Sequence, residues 1–156
     1  MNVHLMTNLD KPQAKECTCK LVVLLKAAGC SISLVEQEQN ILNFDGAQVY
    51  ADRDEAVKNC DIIIAVGGDG TIIHAAKHAL DYDKLILGVN AGHLGFLAQA
   101  EPENLAEMVE RLLNGKYDVE SRFVLSAEIV GGSRNYSGYA LNDAVVAKGF
   151  AKVACT

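Results

Sequence analysis

The apolar run from Asp61 to Val66, which leads directly into a glycine-rich loop, constrains the fold of this chain more than any other feature. Residues 62–66 are mostly β-branched and show no alternation of polar and apolar side chains. A continuous apolar run of this length is typical of a strand that is covered on both faces, as in parallel sheets. Because parallel strands need crossover connections, usually helices, the run predicts an α/β fold.

The loop Gly67-Gly68-Asp69-Gly70-Thr71 links this strand to an amphipathic helical pattern. Glycines allow a close approach between backbone and ligand, and a helix N-terminus offers N–H groups and a positive dipole end to an anion. Asp69 tolerates a phosphate only if a metal ion or a hydroxyl proton lies between them. The loop therefore predicts a phosphoryl-transfer site with Asp69 as general base or metal contact, although such a run can also form a simple turn.

Strands and helices are predicted to alternate through most of the chain. A short strand at 3–7 precedes a helix with Asp10 as N-cap and Pro12 in its first turn, and Gly29 ends that helix. Further strands are predicted at 31–35 and 85–89, further helices at 52–59, after Gly70 and from Pro102 to Gly115, and a loop with little regular structure at 37–51. This order indicates a doubly wound, mostly parallel α/β domain over residues 1–115, with ligands at the carboxyl ends of the strands.

The pattern changes after Gly115. Residues 117–130 and 136–146 are strand-like, with a turn at 131–133 and no helix between them, which predicts an antiparallel hairpin. We expect residues 116–156 to be the start of a β-rich second domain that is unfinished at Thr156, because a hairpin alone is marginal in water.

Composition excludes several classes of protein. The chain is 50% hydrophobic and 22% charged, which is typical of a globular protein. Its formal net charge of −6 and its lack of a Lys/Arg cluster argue against nucleic-acid and anionic membrane partners, and no apolar run reaches the roughly 18–20 residues of a membrane span. A polyphosphate ligand would then be held by backbone N–H groups, helix ends and a divalent metal.

Cysteine and histidine usage gives no metal site. The five cysteines include no CxxC pair, and the N-terminus lacks a signal-peptide pattern, so we expect reduced thiols in a cytoplasmic protein. His74 and His78 have the i, i+4 spacing of a zinc pair, but without Glu at position 75 we interpret them as solvated surface. Neither GxGxxG nor Gly-Lys-Ser/Thr occurs, which excludes those two nucleotide-binding motifs.

Three motifs together resemble the NAD kinase family, whose members transfer a phosphoryl group from ATP to the 2′-hydroxyl of the adenosine ribose of NAD. They are the loop at 67–71, Asn90-Ala91-Gly92-His93-Leu94-Gly95-Phe96-Leu97, and Leu141-Asn142-Asp143-Ala144-Val145-Val146. The first motif is shared with diacylglycerol, sphingosine and 6-phosphofructo-kinases, whereas the second is far more restrictive. The resemblance extends from the first strand to about Gly149.

The resemblance implies a role for individual residues. Asp69 would be the catalytic carboxylate, and Gly67, Gly68, Gly70 and Thr71 would form the wall for the phosphates. Asn90 would shape the second loop of the nucleotide site, where the His93 imidazole would either contact a phosphate or pack within the loop. Asn142 would contact the adenosine part of NAD and Asp143 its ribose hydroxyls, although the family usually has Glu at the latter position. No direct protein ligand to a metal is predicted.

The resemblance also implies ATP as phosphoryl donor, a divalent metal such as Mg²⁺, NAD as substrate and a homo-oligomer. The family's second domain has a Gly-Ser-Thr-Ala-Tyr-type segment that does not occur here, so we expect little or no kinase activity from this polypeptide alone. Two alternatives stay open: a lipid or sugar kinase that shares the first loop, and a non-catalytic nucleotide-binding or interaction module.

Overall fold

The computed structural model describes residues 1–91, 97–98, 100–130 and 135–141. The chain forms two compact units, Met1–Tyr117 and Asp118–Thr156.

The first unit is built on a five-stranded parallel sheet. Its strands are β1 (Asn2–Thr7), β2 (Ser31–Val35), β3 (Gln48–Tyr50), β4 (Ile62–Gly67) and β5 (Leu85–Asn90), in the spatial order β3-β2-β1-β4-β5. The chain therefore starts in the middle of the sheet, extends it to one side as far as β3, and returns to add β4 and β5 on the other side of β1. This arrangement confirms the predicted doubly wound α/β fold.

Among the described residues, five α-helices connect and cover the strands. They are α1 (Pro12–Ala27), α2 (Glu36–Leu42), α3 (Arg53–Lys58), α4 (Asp69–Leu80) and α5 (Leu105–Leu113), the last preceded by a 3-10 turn at Pro102–Asn104. Helix α1 packs against α5, and α3 packs against α4. The core includes apolar side chains of β1, β2, β4, α1 and α5, among them Leu5, Leu21, Leu34, Ile64 and Val109.

Strand β4 lies between β1 and β5, and all six of its residues are buried. The prediction of a strand covered on both faces is therefore confirmed. By contrast, β5 begins with exposed Leu85, since it is the last of the described strands on its side of the sheet.

The prediction of a loop at 37–51 is wrong, because α2 and β3 lie within that segment. Helix α2 buries only Glu38 and Leu42, so its sequence has little helical periodicity. Strand β3 is three residues long, and Val49 is exposed. Its pairing with β2, from Ser33–Gln48 to Val35–Tyr50, is a tertiary interaction that local pattern does not indicate.

The second unit contains an antiparallel pair, β6 (Leu125–Ile129) and β7 (Tyr136–Ala140). The register runs from Leu125 opposite Ala140 to Ile129 opposite Tyr136. The predicted hairpin is therefore confirmed, with strands shorter than predicted at their described ends. The predicted extension of the second strand beyond 141 lies outside the described residues.

Within the part of the chain that is described, no helix is both long and apolar enough to span a membrane. Cys17, Cys19, Cys30 and Cys60 are free thiols, and Cys155 lies outside the described residues.

Candidate active site

The glycine-rich loop joins β4 to α4, as the sequence predicts. Gly67 is the last residue of β4, Gly68 is the N-cap residue of α4, and the helix begins at Asp69. The backbone N–H groups of Thr71 and Ile72 donate to the Gly68 carbonyl oxygen at 2.9 and 3.4 Å. The loop is thus the first turn of a 12-residue helix, whose N-terminal end has N–H groups and a positive dipole end available to an anion.

Gly67 is required by close packing and not by backbone conformation. A Cβ at this position would lie 2.2 Å from Thr71 Oγ1 and 3.1 Å from Asn8 Cβ. None of Gly67, Gly68 and Gly70 has a positive φ, unlike Gly29, Gly46 and Gly115. The end of β4 therefore packs directly against the first turn of α4 and the segment that follows β1.

The Asp69 side chain connects the glycine-rich loop to the chain that follows β5. Its Oδ1 accepts a hydrogen bond from the backbone N–H of Leu97 at 3.1 Å. A carboxylate in the first turn of a helix is also stabilised by the positive end of the helix dipole. The hydrogen bond from Leu97 fixes the orientation of the carboxylate.

A cavity of about 710 Å³ opens where β1 and β4 end. These neighbouring strands are the point from which the chain winds to opposite sides of the sheet, which is where ligands bind in open α/β folds. The residues that line the cavity come from the end of β1 and the segment that follows it, from the N-cap and first turns of α4, and from α2 and α3: Met6, Thr7, Asn8, Leu9, Asp10, Lys11, Gln37, Glu38, Arg53, Gly68, Asp69, Gly70, Thr71 and His74.

The cavity wall contains charges of both signs. Lys11 extends toward the glycine-rich loop, with its Nζ 3.8 Å from where a Cβ of Gly68 would lie. Arg53 Nη1 pairs with Glu38 Oε1 at 3.1 Å. Burial raises the pKa of Glu38, while Arg53 opposes that shift. Burial and the neighbouring His78 lower the pKa of His74, so the positive charge on the wall at neutral pH comes from Lys11 and Arg53.

The two histidines of α4 are not simply solvated surface. His78 is partly buried, and its Nδ1 lies 2.6 Å from Asp54 Oδ1, which ties α4 to α3. The His74 ring lies edge-on to that of His78, with 5.1 Å between ring centroids, and His74 lines the cavity. No group of three or more His, Cys, Asp or Glu residues within the described ranges is arranged to hold a metal ion.

The structure brings together only part of the predicted site. Gly68, Asp69, Gly70 and Thr71 line the cavity, with Gly67 directly behind them. Asn90 does not line it: its side-chain amide lies 3.3 Å from Glu101 Oε2, and its Oδ1 is buried without a hydrogen-bond partner among the described residues. His93, Asn142 and Asp143 lie outside the described residues.

Sequence reasoning missed several residues of the cavity wall, namely Asn8, Lys11, Glu38, Arg53 and the pocket-facing position of His74. Asn8 and Lys11 had a usable signal, since they directly follow the first predicted strand and ligands gather at the carboxyl ends of strands. Glu38 and Arg53 had no such signal in the sequence. The segments that contain them lie beside the cavity only because of the order of the strands in the sheet.

Comparison with known proteins places these features in one family. Residues 3–117 match the ATP-NAD kinase N-terminal domain family. The NAD kinase of Natranaerobius thermophilus is 34% identical over 149 residues, which is 95% of this chain and 51% of that protein. The NAD kinase of Marinomonas sp. is 36% identical over 94% of this chain and 50% of that protein. The chain thus spans about half the length of the curated relatives it matches.

A solved structure has the same fold. The yeast NADH kinase, crystallised in complex with NADH, aligns with a TM-score of 0.73 over 91% of this chain and 47% of that chain, at 16% sequence identity. The family match covers most of the chain, and relatives above 30% identity extend along nearly all of it. The chain therefore belongs to the NAD kinase family.

Proposed function

We propose that this chain provides the phosphate-binding half of an enzyme that transfers a phosphoryl group from ATP to the 2′-hydroxyl of the adenosine ribose of NAD, giving NADP. The observation that supports this most directly is the position of Asp69. Its carboxylate lines a cavity at the ends of β1 and β4, in the first turn of α4, and is oriented by the Leu97 N–H. A fixed carboxylate beside an anion-binding helix end suits attack of a hydroxyl on a phosphate.

In this proposal, one group acts on the acceptor hydroxyl and other groups bind the donor phosphates. Asp69 orients the 2′-hydroxyl and accepts its proton as the hydroxyl oxygen attacks the γ-phosphorus in line with the departing ADP. The N–H groups of Gly68 and Gly70, with the α4 dipole and the Lys11 ammonium, stabilise the negative charge on the phosphates. Phosphoryl transfer depends almost wholly on positioning and charge stabilisation, and these groups contribute both on the donor side of the site.

A divalent ion fits the carboxylates of the cavity wall. Mg²⁺ binds through one or two carboxylates together with substrate phosphates, and it does not need a cage of protein ligands. Asp10 lines the cavity and would hold such an ion together with the phosphates, which leaves Asp69 to accept the proton. When bound, the ion would supply additional neutralisation of phosphate charge.

The remaining roles rest on the family resemblance. Asn142 would contact the adenosine part of NAD, and Asp143 would contact its ribose hydroxyls. His93 would contact a phosphate from the second loop, and Asn90 would shape that loop. Residues 1–115 would form the α/β domain and residues 116–156 the start of a β-rich NAD-binding domain. Assembly into a homo-oligomer would follow from the same family pattern.

The test is NADP formation from ATP, Mg²⁺ and NAD by a chimaera that joins this chain to the remaining half of the Natranaerobius relative. We expect turnover, and we expect Asp69→Asn to reduce it at least about a hundredfold. Asp81→Asn, at the opposite end of α4, is the matched control with the same loss of charge. Near-normal activity of the Asp69 variant would remove Asp69 from the mechanism.

The 156-residue chain should be assayed beside the chimaera. Little or no turnover is expected from it alone, because the chain spans about half the length of the curated relatives it matches. Turnover that is lost on Asp69→Asn would contradict that expectation. ATP binding without turnover in the chimaera would instead favour the non-catalytic module.

A further inference from the structure

The ion pair between Arg53 and Glu38 is the feature of the cavity that the proposed mechanism does not use. Both side chains line the cavity, and they are 20% and 4% exposed, respectively. Replacing a buried ion pair by well-packed apolar side chains is often neutral or even stabilising. Stability alone therefore does not account for a buried carboxylate and guanidinium at this position.

Glu38, in α2, is held by contacts with two other elements. Its Oε2 accepts the N–H of Val35, which is the last residue of β2 and the N-cap residue of α2, at 3.2 Å. Its Oε1 receives Arg53 Nη1 at 3.1 Å. Such a carboxylate has a fixed position, and so does the guanidinium that it binds.

Arg53 is held from the α3 side as well. The neighbouring Asp54 pairs with His78 of α4 at 2.6 Å, which fixes the start of α3 against the helix whose first turn is the glycine-rich loop. A guanidinium has five N–H donors, and Glu38 occupies one nitrogen of the fork. Arg53 lines the cavity, and a planar guanidinium fork is suited to bidentate binding of a phosphate.

We propose that Arg53, positioned by Glu38, is a second phosphate-binding residue of the cavity and contacts the phosphate chain of the donor nucleotide. This inference rests on the proposed function and adds one residue to the site that binds the phosphoryl donor. Glu38 is a positioning residue that holds Arg53 and does not touch the nucleotide. The glycine-rich loop and Lys11 bind one part of the phosphate chain, and Arg53 binds another.

The first test is binding of inorganic tripolyphosphate and of ATP to the 156-residue chain by titration calorimetry. Arg53→Met is expected to weaken both about tenfold, since a charge-assisted bidentate contact is lost. Arg53→Lys should recover part of the loss, because it keeps the charge but not the fork. Arg111→Met is the matched control, as Arg111 also pairs with a glutamate but is exposed on α5.

A double variant distinguishes the loss of a phosphate contact from effects of the substitution on folding stability and on net charge. Arg53→Met leaves a buried carboxylate without its partner, which destabilises the fold and repels anions. Arg53→Met with Glu38→Met removes one positive and one negative charge, so the net charge is that of the wild type. We expect this variant to unfold at a similar urea concentration and still to bind tripolyphosphate about tenfold more weakly. Wild-type affinity in the double variant would overturn the proposal.

The chimaera gives an independent readout. Arg53→Met should raise the KM for ATP about tenfold and leave the KM for NAD unchanged. A rise in the KM for NAD alone would contradict a role on the donor side. If the chimaera forms no NADP while tripolyphosphate binding still depends on Arg53, the anion site stands and the proposed reaction fails.

Discussion

At the level of single residues, Gly67 has no room for a side chain, whereas Gly70 three positions later has ample room. A Cβ at Gly67 would lie 2.2 Å from Thr71 Oγ1, and no atom lies within 4 Å of a Cβ at Gly70. We expect Gly67→Ala to lower the free energy of unfolding by about 1–3 kcal/mol through overpacking. Gly70→Ala should be neutral or stabilising, since alanine favours the first turn of α4. Urea unfolding of the two variants checks this, and equal losses would contradict the packing argument.

His4, in the middle of β1, should make stability depend on pH. Its side chain is fully buried, with Nδ1 3.1 Å from the Ser33 carbonyl oxygen. Burial, with a smaller contribution from Arg53, lowers its pKa from 6.5 to about 4. Between these values the unfolded chain binds a proton that the folded chain does not. The free energy of unfolding therefore falls as the pH falls from 6.5 toward 4, by up to about 3 kcal/mol.

The measurement for His4 is urea unfolding of the wild type and His4→Asn at pH 7 and pH 4.5. Glu38, with its raised pKa, contributes in the opposite sense, but it is present in both proteins and cancels in the difference. We expect the stability of the wild type to fall more steeply with acidification than that of the variant. Parallel pH profiles would show that His4 does not cause the effect.

At the level of elements, Gly88 sets the distance between β5 and α4. A Cβ at Gly88 would lie 2.5 Å from Ile72 Cδ1 and 3.2 Å from Ala98 Cα. We expect Gly88→Ala to destabilise the chain by about 1–3 kcal/mol and Ile72→Val, which removes that Cδ1, to cost about 0.5–1.5 kcal/mol. The double variant should be less destabilised than the sum, and thermal unfolding measures the coupling. Strict additivity would assign the constraint to the Ala98 backbone instead.

Elements with a strong local pattern were predictable, and the others were not. Strand β4 is buried on both faces, and α5 has a clear apolar stripe, so the burial of both elements can be predicted from their sequences. Helix α2 buries two of its seven residues, and β3 is a short, largely exposed strand, so neither leaves a periodic pattern to detect. Their existence depends on contacts with β2.

At the level of the whole molecule, Met1–Tyr117 forms a compact unit of its own, and the family match also ends at residue 117. We expect a polypeptide of residues 1–117 to unfold in one cooperative urea transition. The amides of β1 and β4 should be protected from hydrogen exchange as in the whole chain. Loss of this protection would show that the first unit requires residues 118–156 to fold.

The sequence by itself determined the α/β class, the strand–loop–helix at 62–80 and the place of Asp69 at a helix start, because these depend on residues near one another in the chain. The tertiary structure alone decided which distant residues meet that loop. Lys11, Glu38 and Arg53 reach the cavity because β1 is next to β4 while β2 and β3 extend the other side of the sheet. The periodicity of a sequence indicates how deeply an element is buried, but it does not indicate which elements pack beside it. The charged wall of the site could therefore be identified only in the folded chain.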